Sequence, residues 1–114
     1  MKSWVAQLRK GLVELCVMAA LRGREAYGYE ILQRLGKSAT LAISESTVYP
    51  ILARLAQEGL VKVRVEPSPA GPPRRYYRLT PSGEARLDEM AGYWRQISSA
   101  VDGLFRAAVQ PAGK

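Results

Sequence analysis

Three short hydroxyl side chains, Ser44, Ser46 and Thr47, crowd the start of an apolar periodic segment, and Tyr49 follows two residues on. Hydroxyls of this size donate and accept hydrogen bonds while letting a backbone come close, which is the chemistry required against phosphate oxygens or base edges. A run that begins at Ser44 and stops at Gly59 predicts a short helix, with Ser44 as its N-cap accepting a first-turn N–H. The N-terminal end of such a helix carries partial positive charge and is the end that enters a DNA major groove. Tyr49 reads in two ways, its hydroxyl on a phosphate or its ring in the core. Lys37 upstream and Arg54 within the helix read either as phosphate-contacting cations or as ordinary solvated charge. Glu45 either caps the helix or accepts from a cytosine amino group. Pro50 costs a helix interior about 3 kcal/mol; it reads as a tolerated kink with Tyr49 packed inward.

A second cluster is cationic. Arg74 and Arg75 follow the loop Pro67-Ser68-Pro69-Ala70-Gly71-Pro72-Pro73, which its four prolines exclude from regular structure. Before the loop, residues Leu60 to Glu66 alternate: Leu60, Val63 and Val65 suit burial, Lys62, Arg64 and Glu66 suit solvent, and Val61 breaks the period. After it, Arg75 to Leu79 reads as a return strand, giving a β-hairpin with a stiffened tip. Arginines at the base of such a hairpin grip phosphate or enter a narrow minor groove. Arg64 and Arg78 read better as charges guarding a strand edge. Tyr76 and Tyr77 fall on opposite faces, Tyr77 with Leu79 on the core side. A helix followed by a basic hairpin is the order in which a winged helix meets DNA.

The remaining elements must hold these two clusters in place. Gly23, Gly36 and Gly59 each follow an apolar periodic segment and read as helix ends in the left-handed conformation. The first helix is predicted from about Trp4 to Arg22, with Leu8, Leu12, Leu15 and Ala19 on one face and Val13, Val17 and Ala20 on a second. The second runs from about Ala26 to Leu35, with Ile31, Leu32 and Leu35 as its buried stripe, and Gly36 to Ile43 is a connector. Thr80-Pro81 opens the last helix, Thr80 as N-cap and Pro81 at the first helical position. Leu87, Met90, Trp94, Ile97, Val101, Leu104 and Ala108 then recur at alternating spacings of three and four, a heptad seam. Gly92 and Gly103 weaken that helix by about 1 kcal/mol each.

A helix of about 28 residues spans roughly 42 Å at 1.5 Å per residue, more than a domain of about 80 residues measures across. It must overhang, and an overhanging apolar seam is unstable alone in water. A twofold dimer buries it, with Leu8, Leu12, Met90, Trp94, Ile97, Val101 and Leu104 as the interface and Trp4 covering its edge. The alternative is a monomer whose last helix folds back at Gly92. Trp94 is then either a packing residue or one wall of a flat slot for an aromatic ligand.

Composition fits this reading. The chain has 114 residues, 47% of them hydrophobic, and a net charge of +7 with a pI near 9.9, which favours a polyanionic partner. The charge is spread along the chain and forms no juxtamembrane block. One cysteine and no histidine exclude an intrachain disulfide and a Cys/His zinc site. Cys16, inside the apolar run Leu12 to Leu21, reads as a buried small hydrophobe in preference to a reactive thiol. No secretory signal and no membrane-spanning window is evident, so a cytoplasmic setting is expected. Without a histidine, a nucleophile–base pair or a Gly-rich phosphate loop, catalysis is not expected, and neither is a cofactor or metal.

The chain resembles the PadR family of bacterial transcription regulators. The resemblance is carried by Tyr27-Gly28-Tyr29-Glu30-Ile31, by Ser44…Thr47-Val48-Tyr49-Pro50…Leu55…Glu58-Gly59-Leu60, and by Arg74-Arg75-Tyr76-Tyr77-Arg78-Leu79-Thr80…Gly83. It implies a homodimeric winged helix-turn-helix that binds a palindromic operator, usually as a repressor. The single C-terminal helix is similar to the short branch of the family, which includes a multidrug-responsive repressor. That likeness implies a ligand-sandwiching role for Trp94 at the dimer interface, with Lys10, Val13, Glu14, Ala91 and Ser98 as its geometric neighbours. Glu45 stands where many relatives carry proline.

The expectation is therefore a mainly α fold with a small β-hairpin: a winged helix-turn-helix over residues 1–80, a C-terminal dimerisation helix over 81–109, and a disordered tail over 110–114. Lys37, Ser44, Ser46, Thr47, Tyr49, Arg54, Arg74 and Arg75 are its expected DNA contacts. Double-stranded DNA, a second copy of the chain and a small aromatic effector are its expected partners. The alternative is a winged-helix protein-interaction module without DNA or ligand response.

Overall fold

Gly11 divides the N-terminal helix that apolar spacing predicts as one piece. The computed structural model, which describes residues 3–37, 40–41 and 43–109, has α1 at Ser3–Lys10 and α2 at Val13–Ala19. Gly11 and Leu12 form a turn between them, the Leu12 N–H donating to the Arg9 carbonyl at 2.9 Å. Glycine is among the poorest helix formers, so the break falls where propensity is lowest. The core face of α2 is Val17 and Met18, continued by Leu21 in the turn beyond. Leu8 and Ala19 are exposed, and Leu12 and Leu15 are half-buried. Arg34 closes the C-terminal end of α2 by donating to the Ala20 carbonyl at 2.6 Å.

The second helix starts later than its apolar spacing suggests. Ala26–Tyr27 is a short strand, β1, and α3 covers Gly28–Gly36. The Tyr27 N–H donates to the Glu30 carboxylate at 3.0 Å, which satisfies one donor of the first turn. Gly36 is the last residue of α3 and lacks the left-handed backbone expected of it, which Gly23 and Gly59 do adopt. Residues 38, 39 and 42 of the connector, and the tail from Gln110, lie outside the described residues.

Helix α4 covers Glu45–Gln57 with Pro50 inside it, and its buried face is Val48, Leu52 and Leu55. Ser44 occupies the N-cap but makes no side-chain cap bond, contrary to expectation. Its hydroxyl lies 3.0 Å from that of Ser46 and 3.3 Å from that of Thr47, so the three hydroxyls satisfy one another. Strands β2 (Val61–Glu66) and β3 (Arg74–Leu79) form the hairpin, and β1 pairs with the far side of β3, giving an antiparallel sheet of order β1-β3-β2. The register sets Val61 opposite Leu79 and Val63 opposite Tyr77 on the core face. Val61, not Val65, is the buried valine of β2: Val65 lies opposite Arg75, past the edge of the core, and is 55% exposed. Tyr77 and Leu79 are buried as predicted.

Helix α5 runs unbroken from Pro81 to Val109, and the molecule measures 70 Å along its longest axis. Thr80 is a true N-cap: its hydroxyl accepts the Gly83 N–H at 3.0 Å and donates to the Gly59 carbonyl at 2.7 Å. The core is a single cluster in which Leu87 of α5 joins α2, α3, α4 and the sheet. Beyond Met90 the seam leaves that core. Trp94 is 43% exposed, Val101 42% and Leu104 70%. Cys16 is only half-buried, and that burial still pushes its thiol up, toward the unreactive neutral form.

Candidate nucleic-acid interface

Apart from Val48, the N-terminal turns of α4 face away from the core. Ser44, Glu45, Ser46, Thr47 and Pro50 are exposed, because α4 spends its apolar side on Val48, Leu52 and Leu55. Pro50 has no N–H, so the Ser46 carbonyl lacks the usual helical donor four residues on.

Between α4 and the hairpin runs a groove of about 840 Å³. Tyr49, Ala53 and Ala56 of α4 form one wall, and Pro72, Pro73, Arg74 and Arg75 of the hairpin form the other, with Tyr27 and Tyr29 at the end. The small Ala53 and Ala56 side chains leave the space between the helix and the wing open. Tyr27 and Tyr29 stack with centroids 6.4 Å apart, and the Arg74 guanidinium lies 5.0 Å from the Tyr27 ring centre. That contact leaves the edge of the guanidinium, which carries its donors, available to an anion. Tyr49 is 37% exposed, neither wholly packed nor solvated. Partial burial, then the nearby Glu45 carboxylate, push its phenol up, so at neutral pH it remains a hydrogen-bond donor.

The structure thus brings Tyr49, Arg74 and Arg75 to one groove. Ser44, Ser46 and Thr47 lie exposed at the start of α4 and do not line it; Thr47 borders a separate hollow on the side of α1 and α2. Lys37 lies apart, exposed after α3, in a hollow with Arg24, Gln33 and Arg34. Arg54 points the other way and is held by Glu14 of α2 and by Glu58 at 3.2 Å, so a phosphate would compete there with two carboxylates. Arg64, read as a guard of the strand edge, is a clasp: it crosses over Tyr76 and pairs with Glu25 at 2.8 Å, tying β2 to the chain before β1. Tyr27, Gly28 and Tyr29 enter the sequence argument only as part of a family resemblance. Their place in the groove follows from β1 pairing with β3, which two residues of strand cannot announce.

The residues expected around an aromatic ligand are less gathered. Glu14 is engaged by Arg54, and the Ser98 hydroxyl donates to the Trp94 carbonyl at 2.8 Å. Lys10 and Val13 border a small hollow with Ile43 and Thr47. Ala91 is half-buried on α5 and Trp94 is exposed. Among the described residues no cluster of acidic, cysteine or histidine side chains is arranged to hold a metal, and no helix is long and apolar enough to cross a membrane.

A helix-turn-helix whose second helix and a basic hairpin flank one groove, with a long helix behind, defines a winged helix-turn-helix regulator. Residues 17–89 match the model of the transcriptional regulator PadR-like family, and the chain belongs to that family, one of regulators and not of enzymes. A PadR family transcriptional regulator from Eggerthella lenta superposes with a TM-score of 0.79 at 32% identity, covering 90% of this chain and 89% of that one. A PadR-like transcriptional regulator from Bacillus cereus gives 0.75 at 34% identity, covering 87% and 96%. The transcriptional regulator Rv3488 of Mycobacterium tuberculosis is 32% identical over 83 residues, 73% of this chain and 76% of that protein.

Proposed function

We propose that the protein is a homodimeric, sequence-specific DNA-binding repressor that works in the cytoplasm on a palindromic operator. The N-terminal end of α4 enters the major groove, with Ser46 and Thr47 nearest the bases. The strand backbone passes between α4 and the wing, where Tyr49, Arg74 and Arg75 hold phosphates. Two copies joined along α5 place their reading helices about one helical turn of DNA, roughly 10 bp, or a multiple of it, apart. The observation that carries this reading is the groove itself, which gathers two arginines and a tyrosine donor between the wing and α4, the helix whose N-terminal residues bear exposed hydroxyls.

Selection of bound duplexes from a random DNA pool should return a mirrored consensus; a pool without one, with the dimer intact, would favour a protein-interaction module. On the selected duplex, log affinity should fall with log salt concentration by about 0.9 for each phosphate neutralised. Thr47→Ala combined with Arg75→Ala should cost at least a hundredfold in operator affinity while sedimentation still finds a dimer. Undiminished affinity would refute the assigned face.

In the same proposal a planar aromatic ligand, held between the two Trp94 rings where the α5 seams meet, releases the repressor from DNA. The exposure of Trp94 on an otherwise apolar seam supports it. Titrated with a planar cationic dye, the parent should quench in tryptophan fluorescence and Trp94→Ala should bind at least tenfold more weakly. Equal titration curves would reduce Trp94 to packing.

A further inference from the structure

Gly28 is buried at the start of α3, and its backbone lies outside the left-handed region, so its own conformation does not demand glycine. Tyr49 demands it. A Cβ on Gly28 would stand 2.8 Å from Cε1 and 3.0 Å from Cζ of the Tyr49 ring, and would meet the hydroxyl oxygen more tightly still. Carbon atoms do not tolerate such distances, so the ring would have to swing away. It has room to do so, because its other side faces the groove.

We infer that Gly28 is a positioning residue for the DNA-facing surface, its bare Cα forming the seat that holds the Tyr49 hydroxyl in the groove between α4 and the wing. The inference rests on the DNA-binding reading of that groove. Because the seat belongs to α3 and the tyrosine to α4, the contact also sets the approach of the two helices. The hydroxyl is thereby fixed next to the Tyr27–Tyr29 stack and on the same groove as Arg74 and Arg75, where a phosphate oxygen would find it. A phenol on a fully exposed helix position would sample several rotamers and lose side-chain entropy on binding; a seated one has lost it already.

Gly28→Ala, Tyr49→Ala, Tyr49→Phe and the Gly28→Ala/Tyr49→Ala pair test this in the full chain, by melting and by affinity for the selected duplex. Alanine suits a helix better than glycine, and the three nearest atoms its methyl would meet all belong to the Tyr49 side chain, which can turn out into the groove, so Gly28→Ala is expected to melt within a few degrees of the parent. It should bind the operator about tenfold more weakly, as should Tyr49→Phe, the worth of one hydrogen bond to a charged acceptor. In the Tyr49→Ala background the Gly28→Ala change should cost nothing further.

Parent-like affinity in Gly28→Ala or in Tyr49→Phe would overturn the inference, and so would an equal loss from Gly28→Ala with the ring absent. If Gly28→Ala fails to fold, the pair should fold; a pair that also fails assigns Gly28 to packing and overturns it too. A parent that binds no duplex overturns the DNA reading and this inference with it, whereas a binding parent with an unaffected Gly28→Ala overturns this one alone.

Discussion

Val101→Asp should turn the protein into single chains at micromolar concentration and abolish measurable operator binding. The side chain is 42% exposed on a stretch of α5 that stands open among the described residues, and Trp94, Ile97 and Leu104 share that stretch. In a twofold interface each residue counts twice, so one substitution removes two apolar contacts, each about 1 kcal/mol for a half-exposed aliphatic side chain. It also brings two carboxylates into an apolar seam, where unpaired charge costs several kcal/mol more. Dimer affinity should fall by at least a hundredfold, readable by sedimentation, and operator affinity should follow because one head alone contacts half the site. Ser99→Asp is the control. It lies on the polar side of α5 with Arg95 and Gln96, and should leave both measurements within about twofold. A dimeric Val101→Asp would place the interface elsewhere.

Gly83→Ala should be strongly destabilising, because the added methyl meets backbone. A Cβ there would stand 3.0 Å from the Leu60 carbonyl carbon and nearer still to its oxygen. Both are backbone and belong to a joint that is already tied: the Thr80 N–H donates to that same Leu60 carbonyl at 3.1 Å. Neither α5 nor the start of β2 can yield without breaking the Thr80 cap. Overpacking against a rigid neighbour, together with a strained buried hydrogen bond, predicts a loss of about 3 kcal/mol in urea unfolding. Gly92→Ala, in the same helix, meets only the end of Arg95 at 3.9 Å and should gain up to about 1 kcal/mol from helix propensity alone. If the two substitutions behaved alike, the tight approach of α5 to the sheet would not be a determinant of stability.

Most elements were legible because their signals are local. The Thr80-Pro81 start of α5 needs only the two residues that make it, and the Thr80 cap is found as expected. The 3-4 spacing from Leu87 onward announces one long helix, and the structure has it unbroken despite two glycines. The four prolines of residues 67–73 place the tip of the hairpin between Glu66 and Arg74, within a residue of the expected strand ends. The divided first helix was also legible in principle, since Gly11 is the signal; the apolar rows on either side of it outweighed a single weak position.

The candidate site was legible by residue type and less so by arrangement. Arg74, Arg75 and Tyr49 announce an anion-binding face, and they do share a groove. Arg54 looks equivalent in the sequence, yet Glu14, forty positions away, claims it. Ser44 looks like an ordinary cap, but its hydroxyl is taken by Ser46 and Thr47.

Sequence alone therefore determined the order and type of the main elements, the basic character of the surface and the apolar seam, because charge, period and turn chemistry act between neighbours in the chain. The tertiary structure alone decided which cations remain available, that Ala26–Tyr27 completes the sheet, and that Tyr49 rests on Gly28. Those outcomes depend on contacts between segments distant along the chain, and packing, which has no sequence period, selects among them.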